Sequence, residues 1–144
     1  MTTSALHMVI PARAESLSAV RDRVAEWLTS LGMPDERIGD IVLVVNEACS
    51  NSIEHAYIGE AAGAIRVAAD VDSQSICITV EDFGRWKTDT SKTDVSRGRG
   101  LALMRAMSSH VGLYTNTSGT RVSLSFPSPK ADGGSSVAQS DPRP

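Results

Sequence analysis

Aromatic residues make up only 4% of the 144-residue chain, and no stretch interleaves them with a basic stripe. The net charge is −3, so nucleic acid is not expected as a direct partner. No apolar run approaches the ~18 residues that a membrane span needs, and no membrane association is expected. Met1–His7 lacks the basic segment and long apolar run of a signal peptide. Cysteine occurs twice, and neither Cys49 nor Cys77 has a second cysteine at metal-ligand or redox spacing; both read as small buried thiols. His7, His55 and His110 are scattered without acids or cysteines at ligand spacing, which argues against zinc. There is no serine-histidine-aspartate elbow, no GxxxxGK[ST] loop and no strand-turn-helix GxGxxG. Nor is there an internal repeat. What remains is a soluble, cytoplasmic chain, 41% hydrophobic, of a size that suits one domain with one ordinary core.

Its elements follow from local pattern. Leu6–Ile10, ended by Pro11, is a strand candidate at a sheet edge. Leu17, Val20, Val24, Trp27 and Leu28 have helical spacing, and Gly32 is a natural stop. Arg13, Arg21, Asp22, Arg23 and Glu26 occupy the exposed face of that helix. A second helix opens near Pro34, with Asp35 and Glu36 at the positive end of its dipole, and runs to about Tyr57. Ala64–Val71 and Ser75–Glu81 are strands joined by a turn at Asp72-Ser73-Gln74. Phe83–Ser96 is aperiodic and reads as a long loop. A third helix is expected over Gly98–Ser109, with Leu101, Met104 and Met107 inward, and Val111–Thr115 and Thr120–Phe126 complete the strands. The order predicts an α+β fold, a two-layer sandwich with a largely antiparallel sheet. The folded domain spans 1–127, and 128–144, rich in Pro, Gly and Ser, reads as a disordered tail.

The second helix carries two stripes. Ile38, Ile41, Val45 and Ala48 form an apolar one, while Glu47, Asn51 and His55, four apart, form a polar one. The polar stripe alone fits a solvated face as well as the edge of a cleft. In a cleft, Glu47 could take or orient the proton of an attacking hydroxyl. Asn51 offers a neutral oxygen to Mg²⁺, which usually binds few protein groups together with substrate phosphates. His55 fits either a phosphate contact or a helix-end cap. Asp82, at a strand end, is either a turn former or an acceptor for an exocyclic amine such as that of adenine. Gly84 beside it would permit close backbone approach. Arg97-Gly98-Arg99-Gly100-Leu101 places glycines before a helix, where free N–H groups suit an anion.

In order, N-E-A-C-S-N-S-I-E-H-A-Y, E-D-F-G and G-R-G-L-A-L-M-R-A-M resemble the N, G1 and G2 boxes of the Bergerat-fold (GHKL) ATP-binding superfamily. Within it the chain is most similar to the anti-sigma-factor serine/threonine kinases, over roughly Leu6–Phe126. The resemblance implies the Bergerat fold, with helices on one sheet face, and ATP and Mg²⁺ as cofactors. It implies Glu47 as catalytic base and Asn51 as metal ligand. Asp82 and Gly84 fall at the adenine, with Thr120 near it. His55, Gly98, Arg99, Gly100 and Leu101 fall with the nucleotide and its lid, and Arg21 at the partner surface. The implied function is an anti-sigma factor that binds a sigma factor and phosphorylates a serine of an anti-sigma-factor antagonist, with a homodimer as one form. One departure stands out: the family's G1 box has a second glycine, D-x-G-x-G, where this chain runs Asp82-Phe83-Gly84-Arg85-Trp86 and has none. That favours an alternative, a non-catalytic protein-binding switch, whereas Glu47 and Asn51 favour the kinase. A sensor histidine kinase would need a phospho-acceptor helix pair for which this chain has no room.

Overall fold

A computed structural model describes residues 5–55, 63–84, 103–116 and 119–129. Five strands form one sheet in the order β1-β2-β3-β5-β4. They are β1 (Leu6–Pro11), β2 (Ala64–Val71), β3 (Ser75–Asp82), β4 (His110–Asn116) and β5 (Gly119–Pro127). Every neighbouring pair is antiparallel. Two long helices, α1 (Leu17–Ser30) and α2 (Asp35–His55), accompany it, and residues 103–107 are also helical. The expected α+β sandwich is the observed architecture, with β1 at a sheet edge as its sequence position implied.

Strand alternation decides which side is buried. Ile65, Val67 and Ala69 of β2, Ile76, Ile78 and Val80 of β3, and Val122, Leu124 and Phe126 of β5 are all buried, while the residues between them are not. They form one core with Val20, Val24, Trp27 and Leu28 of α1 and Ile38, Ile41, Val44, Val45 and Ala48 of α2. The α2 stripe read from the sequence therefore faces the sheet. Met104 joins this core fully buried and Met107 packs at its margin, so residues 103–107 are anchored from below.

Helix ends and turns follow from local chemistry. After α1, Gly32 has φ +84°, its N–H bonds Thr29 O at 3.0 Å, and the Met33 N–H bonds Leu28 O at 3.1 Å. This paired closure requires a residue at ease with positive φ. At the other boundary the Pro34 carbonyl accepts the first α2 bond, from Ile38 N–H at 3.0 Å. Between β2 and β3, Asp72 Oδ1 accepts the N–H groups of Gln74 and Ser75, both at 2.8 Å. Those two bonds, from Ser75 first and then Gln74, hold its carboxyl below the ordinary value of 3.8.

Beyond β5, Ser128 is buried. Its N–H donates to Gln74 O at 3.1 Å and its hydroxyl to Ser73 O at 2.9 Å. The two cysteines are free, and they differ. Cys49 is buried in α2, which pushes its thiol up to about 12 and leaves it unreactive at neutral pH. Cys77, expected to be buried, is only partly so. It lies on the other parity of β3 from the core residues, its sulfur 3.7 Å from the Ser123 hydroxyl.

Candidate active site

The sheet end where β3 and β5 meet α2 collects the polar residues that are buried: Asn51, Ser52, Asp82 and Thr120. Register explains the meeting. Asp82 is the last residue of β3 and pairs with Thr120, the second of β5, so the side chains of both lie on the face that α2 covers. Asn51 and Ser52 come from the last turns of α2.

Asp82 is 1% exposed, and its carboxylate is held from three directions. Oδ1 accepts the Gly84 N–H and the Thr120 N–H, each at 3.2 Å. Oδ2 accepts the Ser52 hydroxyl at 3.0 Å. A carboxylate out of water is costly unless such donors replace the lost hydration. These bonds join the sequence-predicted Asp82, Gly84 and Thr120 in one cluster. The Thr120 hydroxyl in turn donates to Thr115 Oγ1 at 3.2 Å, tying the cluster to edge strand β4. Ser52 was not singled out in the sequence. The available signal was its place four residues beyond Ala48 on the buried stripe, where a hydroxyl must find a partner.

Glu47 is half-buried and lies one helical turn before Asn51, which is 8% exposed. Among the described residues no group of three or more His, Cys, Asp or Glu is arranged to hold a metal ion. The amide oxygen of Asn51 is a neutral, hard donor that suits Mg²⁺ better than zinc. Arg21 is exposed on α1 as expected, and its Nη1 donates to Asn46 Oδ1 at 3.1 Å, next in sequence to Glu47. His55 closes α2. Its side chain, together with Gly98, Arg99, Gly100 and Leu101, lies outside the described residues.

The strand leading into Asp82 is braced on its other face. Arg66 of β2 pairs with Glu81 at 3.2 Å and lies 5.3 Å from the centroid of the Phe83 ring. Its exposure makes this a modest contribution to stability.

A model of the histidine kinase-like ATPase domain matches residues 10–126, from the end of β1 to the end of β5. The chain belongs to that family. Among relatives, the anti-sigma F factor of Anoxybacillus flavithermus is 25% identical over 130 residues, covering 83% of this chain and 89% of the relative. The serine-protein kinase RsbW of Bacillus velezensis is 29% identical over 140 residues, covering 86% and 87%. A crystal structure of the RsbU and RsbW domains of Rv1364c from Mycobacterium tuberculosis superposes with a TM-score of 0.71 at 27% identity. That match covers 86% of this chain and 32% of the other. The histidine kinase domain of a blue-light activated histidine kinase from Erythrobacter litoralis shares the fold, with a TM-score of 0.61 at 22% identity, and this chain spans 63% of its length. No helix among the described residues is long and apolar enough to cross a membrane.

Proposed function

We propose that this ATPase-family chain is an anti-sigma factor and an ATP-dependent protein-serine kinase. It binds a sigma factor and phosphorylates a serine of a small anti-sigma-factor antagonist. The observation that carries the reading is the Asp82 cluster: a buried carboxylate, fixed by Ser52, Gly84 and Thr120, next to an α2 face that presents Asn51 and Glu47. Relatives named as an anti-sigma F factor and as a serine-protein kinase support the same reading.

In this reading Asp82 accepts the exocyclic amino group of adenine, with Gly84 and Thr120 beside the ring. Asn51 supplies an amide oxygen to Mg²⁺. Bound Mg-ATP supplies the transferable phosphoryl group. Glu47 accepts the proton of the serine hydroxyl as its oxygen bonds to the γ-phosphorus and the bond to the β,γ-bridging oxygen breaks, leaving ADP. Such transfer depends mostly on positioning and charge neutralisation. The family resemblance assigns Gly98, Arg99, Gly100 and Leu101 to the nucleotide, and Arg21, held by Asn46, meets the partner protein. The product gains about −1.5 to −2 charge, which weakens its fit beside the acidic Glu47 and frees the kinase to hold its sigma factor.

A second reading rests on the run Asp82-Phe83-Gly84-Arg85-Trp86, which lacks the second glycine of the family's G1 box. It makes the chain a binding switch without turnover. The test incubates the purified chain with Mg²⁺, γ-labelled ATP and, in turn, candidate anti-sigma-factor antagonist proteins. Label on a serine of one antagonist is expected, with weaker binding of the phosphorylated form. ATP binding without labelling of any antagonist would leave the switch as the function.

A further inference from the structure

We propose that Ser52 is a positioning residue that fixes the Asp82 carboxylate from the helix side, so that the site takes a 6-aminopurine and rejects a 6-oxopurine. The inference rests on the reading that Asp82 meets the base. Its physical support is the pairing itself. Ser52 and Asp82 are each 1% exposed, and the hydroxyl donates to Oδ2 at 3.0 Å. The other oxygen, Oδ1, is held by two backbone N–H groups of the sheet end. With one oxygen tied to the sheet and one to α2, the carboxylate plane cannot rotate without breaking a bond to a charged group, which is among the stronger kinds of hydrogen bond.

Selectivity follows from proton accounting. An ionised carboxylate has no donor, and a serine hydroxyl has one. Because that proton is committed to Asp82, Ser52 offers a ligand only acceptor capacity. The Ser52–Asp82 pair thus offers a ligand acceptors. A 6-amino group donates to such a pair, whereas a 6-oxo group brings a second acceptor against it and repels. The stripe of α2 gives no packing reason for a hydroxyl here, since Ile41, Val45 and Ala48 precede it at helical spacing and all are buried apolar residues.

The test uses ADP and inosine diphosphate, which differ in the purine at position 6, and measures both affinities by calorimetry. The proteins are wild type, Ser52→Ala, Asp82→Asn and the double variant, each with a thermal melt. Wild type should prefer ADP. Ser52→Ala should weaken ADP about tenfold and inosine diphosphate little, shrinking the preference about tenfold. In the Asp82→Asn background the serine change should add nothing to the ratio, because it acts through that carboxylate. An ADP preference unchanged in Ser52→Ala, whatever happens to the melting temperature, would overturn the inference and leave Ser52 as a structural fastener. Wild type that binds no ADP would instead overturn the nucleotide reading beneath it.

Discussion

Glu47→Ala is expected to slow phosphoryl transfer to the antagonist by about 10²–10⁴-fold, the range a positioned general base supplies. ADP affinity should change little. Glu47 is half-buried on α2 and is not part of the hydrophobic core, so its loss opens no cavity. It lies a full turn from Asn51 and is not among the groups bonded to Asp82, so the base-binding corner keeps its partners. Single-turnover transfer from labelled ATP, run beside calorimetry with ADP, separates the two effects. Glu47→Gln should be nearly as slow, since it keeps the shape and loses the basicity. Transfer at the wild-type rate by either variant would remove Glu47 from the role of base.

Gly119→Ala should be the most damaging small substitution in the sheet. A methyl group at Gly119 would sit 2.1 Å from the carbonyl oxygen of Asp82 and 3.0 Å from the Phe83 Cα. These are backbone atoms and cannot swing aside, and the glycine holds φ at +154°. The start of β5 would have to pull away from the end of β3, and with it the Thr120 N–H from Asp82 Oδ1. We expect a loss of roughly 2–4 kcal/mol from strain and overpacking together, read as a fall in melting temperature of roughly 4–16 °C, and a parallel loss of ADP affinity. Gly112→Ala is the control. The atoms nearest its methyl would be those of the Tyr114 side chain, which is exposed and can move. Equal melting temperatures for Gly119→Ala and wild type would show that the β3–β5 junction tolerates more slack than its geometry implies.

Much of this arrangement was legible in the chain because it is written locally. The i, i+3, i+4 run of Ile38, Ile41, Val45 and Ala48 marked the buried face of α2, and the alternation of Ile76, Ile78 and Val80 marked that of β3. Asp72, Gln74 and Ser75 announced their turn by an Asx-type bond that needs no tertiary partner. The sheet order was not legible. β5 inserts between β3 and β4, and local periodicity is silent on which distant strands pair. The site was half legible for the same reason. Asp82, Asn51 and Thr120 stood out by type and by resemblance, but the bond from Ser52 joins residues thirty apart and exists only once α2 lies on the sheet. Cys77 was misplaced because an alternating strand puts half its residues on the second face, and its small size suits either.

The central claim is that these segments form a Mg-ATP pocket, and titration calorimetry tests it most directly. ATP is titrated into wild type and Asn51→Ala, with and without Mg²⁺, with GTP as the comparison. The account predicts adenine-selective binding that Mg²⁺ strengthens in wild type, and loss of the Mg²⁺ dependence in Asn51→Ala. No binding at millimolar ATP, or the same Mg²⁺ dependence in both proteins, would contradict it.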